Sequence, residues 1–123
     1  KDSGKIPYTA YSATKSYMKD NKEVLEKFTR ALYKAQMWCK DATDKEIAEA
    51  IQPYFEDNSI DELVTVAKQY RKIGAWCENP YFKEESLNNL MKVMETAGEL
   101  EKEAPYDKIV DTSIAQDVID ENK

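Results

Sequence analysis

Apolar residues recur at intervals of three and four along most of the chain, the spacing of amphipathic helices. Asn21 is placed to cap a long helix, and its apolar stripe consists of Val24, Leu25, Phe28, Leu32, Ala35 and Trp38. Two capping boxes, Thr43–Glu46 and Ser59–Glu62, predict the starts of two further helices. We expect Pro53 to end the first of these and Gly74 the second.

The C-terminal part of the chain continues the helical pattern. A helix is predicted from about Lys83 to Gly98, with its inward positions at Leu87, Leu90, Met91 and Met94. A short helix precedes Asn21, a single turn is expected at 107–110, and Thr112 or Ser113 would cap a final helix. The predicted fold class is therefore mainly α, with about five helices after one N-terminal strand.

That strand is the exception to the helical pattern. Residues 5–13 alternate bulky and small side chains, and Pro7 favours extended backbone at the residue before it. We predict a strand at Tyr8–Ser12. Because a lone strand leaves its backbone groups unpaired, this one needs a neighbour outside the segment or in another copy of the chain.

Composition and charge narrow the classes of function. The 123 residues include only 3 Gly and 4 Pro, and 18 basic against 24 acidic residues give a net charge of −6. The acidic balance and the interleaving of both signs argue against nucleic acid as a partner. The chain contains no His, which excludes Ser-His-Asp and Cys-His catalysis within it, and we expect no metal site or cofactor.

Several side chains are candidates for a disulfide, a ligand contact or acid/base catalysis, and each also has a purely structural interpretation. Cys39 and Cys77 are either a disulfide, if the compartment is oxidising, or two separate thiols. The aromatic rings at Trp38 and Trp76 are expected to pack, one in a helix stripe and one over a helix end. The carboxylate pairs Asp61–Glu62 and Glu84–Glu85 stand where helices begin, so we interpret them as solvated helix starts and not as an acid/base dyad.

Tyr8, Thr9 and Ser12 are the candidate ligand contacts. They lie on the extended segment, where a ring face and two hydroxyl groups can point into a cleft. The chain opens on Lys1 and not on Met, which we interpret as a processed or excised product.

The order of short motifs resembles a known family over nearly the whole chain. The motifs are Pro7–Ala13, Phe28–Leu32 with Trp38, Ile73–Trp76, Asn79–Pro80, Leu90–Leu100, Pro105–Asp111 and Ala115. In this order they resemble the C-terminal third of solute-binding proteins of ABC importers, in the group that binds nitrate, sulfonates, taurine and thiamine-pyrimidine precursors.

The resemblance implies a two-lobed α/β fold of the periplasmic-binding-protein type II class, of which this chain is one segment. Residues 1–13 would be a strand crossing between the lobes, and residues 14–123 would be helices packing on the first lobe. The implied function is non-enzymatic: hinge closure captures a small polar nutrient, which is delivered to a membrane permease. The implied location is extracellular or periplasmic, on a membrane-anchored lipoprotein.

Within that family, the chain favours a thiamine-pyrimidine precursor over sulfonate, taurine or nitrate, because it has no cationic cluster for an anion. Tyr8 would offer a ring face and Thr9 a hydroxyl group. Two alternatives remain open. One is a free-standing helical interaction module, marked by a contiguous apolar surface. The other is a piece of an enzyme like the thiamine-pyrimidine synthases, which need a reactive His. An isolated segment with an unpaired strand is also expected to self-associate.

Overall fold

The computed structural model describes residues 4–122, and its regular elements are helices. The α-helices are α1 (Lys15–Asp20), α2 (Lys22–Asp41), α3 (Asp44–Ile51), α4 (Ile60–Ile73), α5 (Glu84–Thr96), α6 (Tyr106–Ile109) and α7 (Ser113–Asp120). A 3-10 turn, Gln52–Tyr54, follows α3 directly. The mainly helical fold predicted from the pattern is confirmed, although the described residues hold seven α-helices where about five were expected.

The chain divides into two units. One is Phe28–Pro80, and among the described residues the other combines 4–27 with 81–122. Within Phe28–Pro80, α3 and α4 pack as a hairpin, and the buried side chains are Ile47, Ala48, Leu63 and Ala67. In the other unit, the buried side chains are Leu87 and Met91 on α5 and Ala115 and Val118 on α7.

Both predicted capping boxes are present in the hairpin. The Thr43 N–H donates to Glu46 Oε2 at 2.7 Å, and the Glu46 N–H donates back to Thr43 Oγ1 at 3.2 Å. The same exchange joins Ser59 and Glu62, at 2.8 and 3.3 Å. Each box satisfies helix N–H groups that have no partner within the helix, which is why α3 and α4 begin where the sequence predicted.

Glycine ends α4 as expected. Gly74 adopts the left-handed conformation with φ 64°, and its N–H and that of Ala75 return to carbonyl groups of the last helical turn. Left-handed backbone is easily reached only by glycine, so the residue fixes the exit direction of the chain. Pro53 lies inside the 3-10 turn, one position beyond the start of that turn, and no α-helix continues past it.

The strand predicted at Tyr8–Ser12 is wrong for this chain. Residues 4–13 have no regular secondary structure, and the structure contains no strand anywhere in residues 4–122. The physical reason is that a strand exists only as part of a sheet, and no second strand is available here. The segment has the β-forming composition that the pattern detected, but no pairing partner.

The apolar stripe predicted for α2 lies on a helix, but its side chains are not buried. None of the twenty residues of α2 is buried: Val24, Phe28, Ala35 and Trp38 are exposed, whereas Leu25 and Leu32 are half-buried. The expectation that Trp38 packs in a helix stripe therefore fails, since its side chain is 46% exposed. Periodicity identifies an apolar helix face but does not supply the surface that covers it.

Candidate functional site

The three predicted ligand contacts lie together on the irregular N-terminal segment. Tyr8 is 99% exposed, and Thr9 and Ser12 are exposed as well. Within residues 4–122 these three side chains take part in no hydrogen bond or ion pair. Their aromatic face and hydroxyl groups are thus presented to solvent, and their role as ligand contacts stays a prediction.

The start of this segment is held against α5. Asn89 Nδ2 donates to the Lys5 carbonyl oxygen at 3.3 Å. Gly4 lies beside the same side chain with φ +72°, and a Cβ at this position would stand 2.7 Å from Asn89 Nδ2. Neither residue was singled out by the sequence analysis. The hydrogen bond holds Lys5 against α5. It therefore fixes one end of the short stretch of backbone that carries Tyr8 and Thr9.

A second cluster is built around Arg71 in the Phe28–Pro80 unit. Its Nε donates to Asp44 Oδ1 at 2.9 Å, and its Nη2 donates to the Ala42 carbonyl oxygen at 2.7 Å. Its Nη1 adds a longer bond of 3.4 Å to the Lys40 carbonyl oxygen. One planar guanidinium group therefore ties the end of α2 and the start of α3 to α4, which uses the fork geometry that only arginine has. The sequence analysis missed this residue, because nothing in local spacing links it to Asp44.

Trp76 completes the Arg71 cluster. The guanidinium carbon lies 5.6 Å from the centroid of the indole ring, and the ring of Tyr70 lies 6.2 Å from it. Because Tyr70 and Arg71 stand in the last turn of α4, Trp76 packs over the end of that helix. The expectation that Trp76 covers a helix end is confirmed. The cluster is a structural anchor, since each of its groups is engaged by a neighbour.

The two cysteines differ in environment. Cys39 is half-buried and Cys77 is exposed, and both are free thiols in the structure. Burial raises the pKa of the Cys39 thiol above its ordinary value, and the positive charge of Arg71 opposes that shift. A thiol with a raised pKa is mostly protonated at neutral pH, so Cys39 is not an activated nucleophile. The disulfide between Cys39 and Cys77 stays a prediction.

In the predicted pair Asp61–Glu62, Glu62 is the capping residue of α4, as Glu46 is of α3. The backbone and side-chain hydrogen bonds from Ser59 lower the pKa of Glu62, and those from Thr43 lower the pKa of Glu46 in the same way. Glu84 and Glu85 are exposed in the first turn of α5. In residues 4–122, no group of three or more Cys, Asp or Glu side chains is arranged to hold a metal ion.

Tyr106 is half-buried next to the start of α5. It donates to the Phe82 carbonyl oxygen, and burial raises its pKa, with Tyr81 and Glu84 adding to the effect. This hydrogen bond fastens the chain before α5 to α6. Among residues 4–122, no helix combines the length and the apolar character that crossing a membrane requires.

Comparison with known proteins shows what this chain is similar to. The chain is 37% identical over 120 residues to a protein of Bacillus subtilis (strain 168) named "Putative binding protein YtlA". The alignment covers 98% of this chain and 36% of that protein, so the chain spans about a third of the length of the relative it matches. No family model matches the chain, and no solved structure matches it.

Proposed function

We infer that this chain is part of a ligand-binding protein. The observation that carries the proposal is the 37% identity across 98% of the chain to a protein named as a binding protein. Similarity of this extent runs through both units of the fold and not through one motif. The two proteins therefore share a structural plan over this region, and the name of the relative supports a binding role for this chain.

We further propose that the ligand is a small polar nutrient and that two lobes close on it about a hinge. The structural support for this proposal comes from the N-terminal segment. Tyr8 and Thr9 are exposed, they carry the chemistry for a ring contact and a hydroxyl contact, and the Asn89 hydrogen bond holds their segment at its start. Closure would be driven by contacts that the ligand makes to both lobes, with no covalent step.

The ligand class follows from charge. The described residues around Tyr8 and Thr9 include Lys5 and Lys15 but no grouped cations, so a neutral or cationic pyrimidine precursor of thiamine fits better than sulfonate, taurine or nitrate. We also propose that the whole protein is a lipoprotein outside the cytoplasm and that it delivers its ligand to the membrane permease of an ABC importer. The resemblance of the motif order supports both.

Isothermal titration calorimetry of the whole gene product tests the ligand. The titrants are a thiamine-pyrimidine precursor, an alkyl sulfonate, taurine and nitrate. We expect saturable binding of the pyrimidine alone, with the ligand recovered unchanged. Binding to none of the four would contradict the proposed ligand class, and recovery of a chemically altered compound would show an enzyme.

Paired substitutions test the site. We expect Tyr8→Ala and Thr9→Ala each to weaken binding by about tenfold, the effect of one lost ring or hydrogen-bond contact. Tyr54→Ala and Thr65→Ala are matched controls, since Tyr54 is exposed in the other unit and the Thr65 hydroxyl bonds its own helix. Equal affinity in all four variants would remove the site and leave the ligand result standing.

A helical interaction module is the second candidate function. The observation in its favour is a stripe of exposed apolar side chains on α4, at Val66, Tyr70 and Ile73, spaced as neighbours on one helix face. Large exposed apolar surface marks interaction sites in soluble domains. This candidate does not depend on the ligand.

A further inference from the structure

Helix α2 carries four apolar side chains that are exposed along one face. They are separated by three, four and three residues, which keeps them in line as the helix turns. The two aromatic members, Phe28 and Trp38, are 44% and 46% exposed. The half-buried residues of the same stretch lie outside this line and include Leu32, Tyr33, Gln36 and Met37. We call the exposed four the α2 stripe: Phe28, Ala31, Ala35 and Trp38.

The spacing of the α2 stripe is that of the a and d positions of a heptad. Residues at these positions form the line along which two helices pack side by side. In a globular domain an apolar line on a helix normally faces the chain's own core. In α2 the half-buried residues are other ones, and none of its twenty residues is fully buried. The α2 stripe therefore has the geometry of a contact with a helix of another molecule.

The α2 stripe is complementary in size to a reversed copy of itself. An aromatic side chain stands at each end, and two alanines stand between them. When two α2 helices lie antiparallel about a two-fold axis level with residue 33, Phe28 meets the partner's Trp38. Ala31 then meets the partner's Ala35. The small alanines let the two helix axes approach closely at the centre, and the rings fill the space at both ends.

Charged residues beside the α2 stripe favour this antiparallel arrangement. Lys27 and Asp41 are exposed on the same edge of the stripe, near its two ends. In the antiparallel pair Lys27 lies beside the partner's Asp41, and the two-fold axis repeats this pair of opposite charges. A parallel pair would instead set Lys27 against the partner's Leu32 and form no ion pair. Opposed helix dipoles favour the antiparallel arrangement as well.

Two other charges lie close to this contact. Lys27 also pairs with Glu23 of its own helix at 2.6 Å, but both side chains are largely exposed and an ammonium group has three donors, so it can serve a second carboxylate. Lys34 lies on the same edge and meets the partner's Lys34 at the axis. The antiparallel pair therefore brings together two pairs of opposite charges and one pair of like charges, which is a net attraction.

We propose that this chain forms a two-fold dimer through antiparallel contact between two α2 helices, one from each copy. A second copy is the occupant because the α2 stripe and its flanking charges complement themselves. Each copy uses its stripe once, so association stops at two chains. The proposal does not rest on the proposed ligand.

The area of the contact sets its strength. Four aromatic side chains, each about half exposed, would together lose roughly 350 Å² of accessible surface. Even with the alanines and the lysine stems, the contact stays below the roughly 1,200 Å² of a stable interface. We therefore expect a dissociation constant of about 100 μM, which rises several-fold when salt is raised to about 0.5 M and screens the ion pairs.

Charge exchange gives the decisive test, with analytical ultracentrifugation of this chain as the readout. Lys27→Glu and Asp41→Lys each place like charges together twice, and we expect each to weaken the dimer by about tenfold. The double variant carries both changes and restores two opposite-charge pairs, so it should dimerise like the native chain. Lys40→Glu is the matched control, because it changes the net charge as Lys27→Glu does but stands on the far side of α2. It should leave the dimer unchanged.

A second pair of variants tests the apolar centre of the contact. Ala35→Glu puts a charged side chain where the two helices approach most closely and should abolish the dimer while the circular dichroism spectrum stays helical. Ala50→Glu is its control, since Ala50 is an exposed alanine on α3. A native chain that is monomeric at about 1 mM would overturn the proposal. Dimers that survive Ala35→Glu, or a double charge variant that fails to recover, would overturn it as well.

Discussion

The caps, the helix stop and the buried seam of the α3–α4 hairpin all come from the hairpin's own sequence. A strand at residues 4–13 would instead need a pairing partner outside that segment. The hairpin has capping boxes at both helix starts, a glycine that ends α4, and a buried apolar seam between the helices. The N-terminal segment has strand-forming residues but no strand to pair with in the described chain. Helices satisfy their backbone groups within one segment, and strands do not.

The contrast between the hairpin and the N-terminal segment shows that helix signals and strand signals in a sequence carry different information. Caps and apolar periodicity act over three to four residues, so they specify a helix wherever it stands. Alternation of bulky and small side chains specifies only that a segment suits a sheet. The hairpin is therefore expected to contribute far more to the stability of this chain than the N-terminal segment does.

Removing the centre of the hairpin seam should produce the largest effect. Leu63 is buried between α3 and α4, and Leu63→Ala removes its packing and leaves a cavity. We expect a loss of about 2 to 4 kcal/mol in the free energy of unfolding. Urea denaturation followed by circular dichroism measures it, since the helices of both units contribute to that signal.

Ile6→Ala is the matched change in the N-terminal segment. The same measurement should give a change below about 0.5 kcal/mol, because Ile6 is exposed on a segment without packing partners in a sheet. Comparable losses in the two variants would show that the N-terminal segment contributes as much to the stability of the chain as the hairpin does.

Arg71→Lys should rank second. Lysine keeps the charge but reaches only one of the acceptors that the guanidinium group joins, among them Asp44 and the Ala42 carbonyl. We expect a loss of about 1 to 2 kcal/mol in the free energy of unfolding. Lys72→Ala is the control on the neighbouring exposed residue, with an expected change near zero. If both variants match the native chain, Arg71 does not tie α2, α3 and α4 together.

Sequence reasoning succeeded where structure is local and failed where it is not. The starts of α3 and α4 and the packing of Trp76 over a helix end were predictable from spacing and from glycine. The Arg71 fork joins residues 27 to 31 positions apart, and the Asn89 bond to Lys5 spans 84. No pattern of three or four residues carries such pairings. The exposure of the α2 stripe was equally out of reach, because periodicity does not reveal what covers a face.

The capping boxes should make stability depend on pH. Hydrogen bonds from Thr43 and Ser59 lower the pKa of Glu46 and Glu62 in the folded chain. A lowered folded pKa stabilises the chain above the unfolded value of about 4.5, and that contribution disappears as the pH falls through the folded pKa. Thr43→Ala and Ser59→Ala should each cost about 1 kcal/mol at neutral pH and flatten the stability profile below pH 4.5.

Measurement of unfolding by urea between pH 3 and 7 checks this prediction. Thr65→Ala is the control, because the Thr65 hydroxyl donates to the Asp61 carbonyl inside α4 and touches neither capping glutamate. The hydrogen bonds of Ser113 lower the pKa of Asp111 as well, so a reduced slope is expected in the cap variants and not a flat profile. An unaltered slope would mean that the capping glutamates titrate alike in folded and unfolded chains.

The smallest effect is expected at the anchor of the N-terminal segment, where it should be local. Gly4→Ala puts a Cβ against Asn89 Nδ2 in a backbone conformation that alanine rarely adopts. The Asn89 hydrogen bond to Lys5 should break, with a change in the free energy of unfolding below about 1 kcal/mol. Trypsin cleavage after Lys5 should become several-fold faster, as the segment leaves α5. Gly98→Ala serves as the control, because Gly98 has a similar φ of +76° but open space around it. Strain alone at Gly98 should leave cleavage at Lys5 unchanged, so an equal acceleration in both variants would show that the Asn89 contact does not hold the segment.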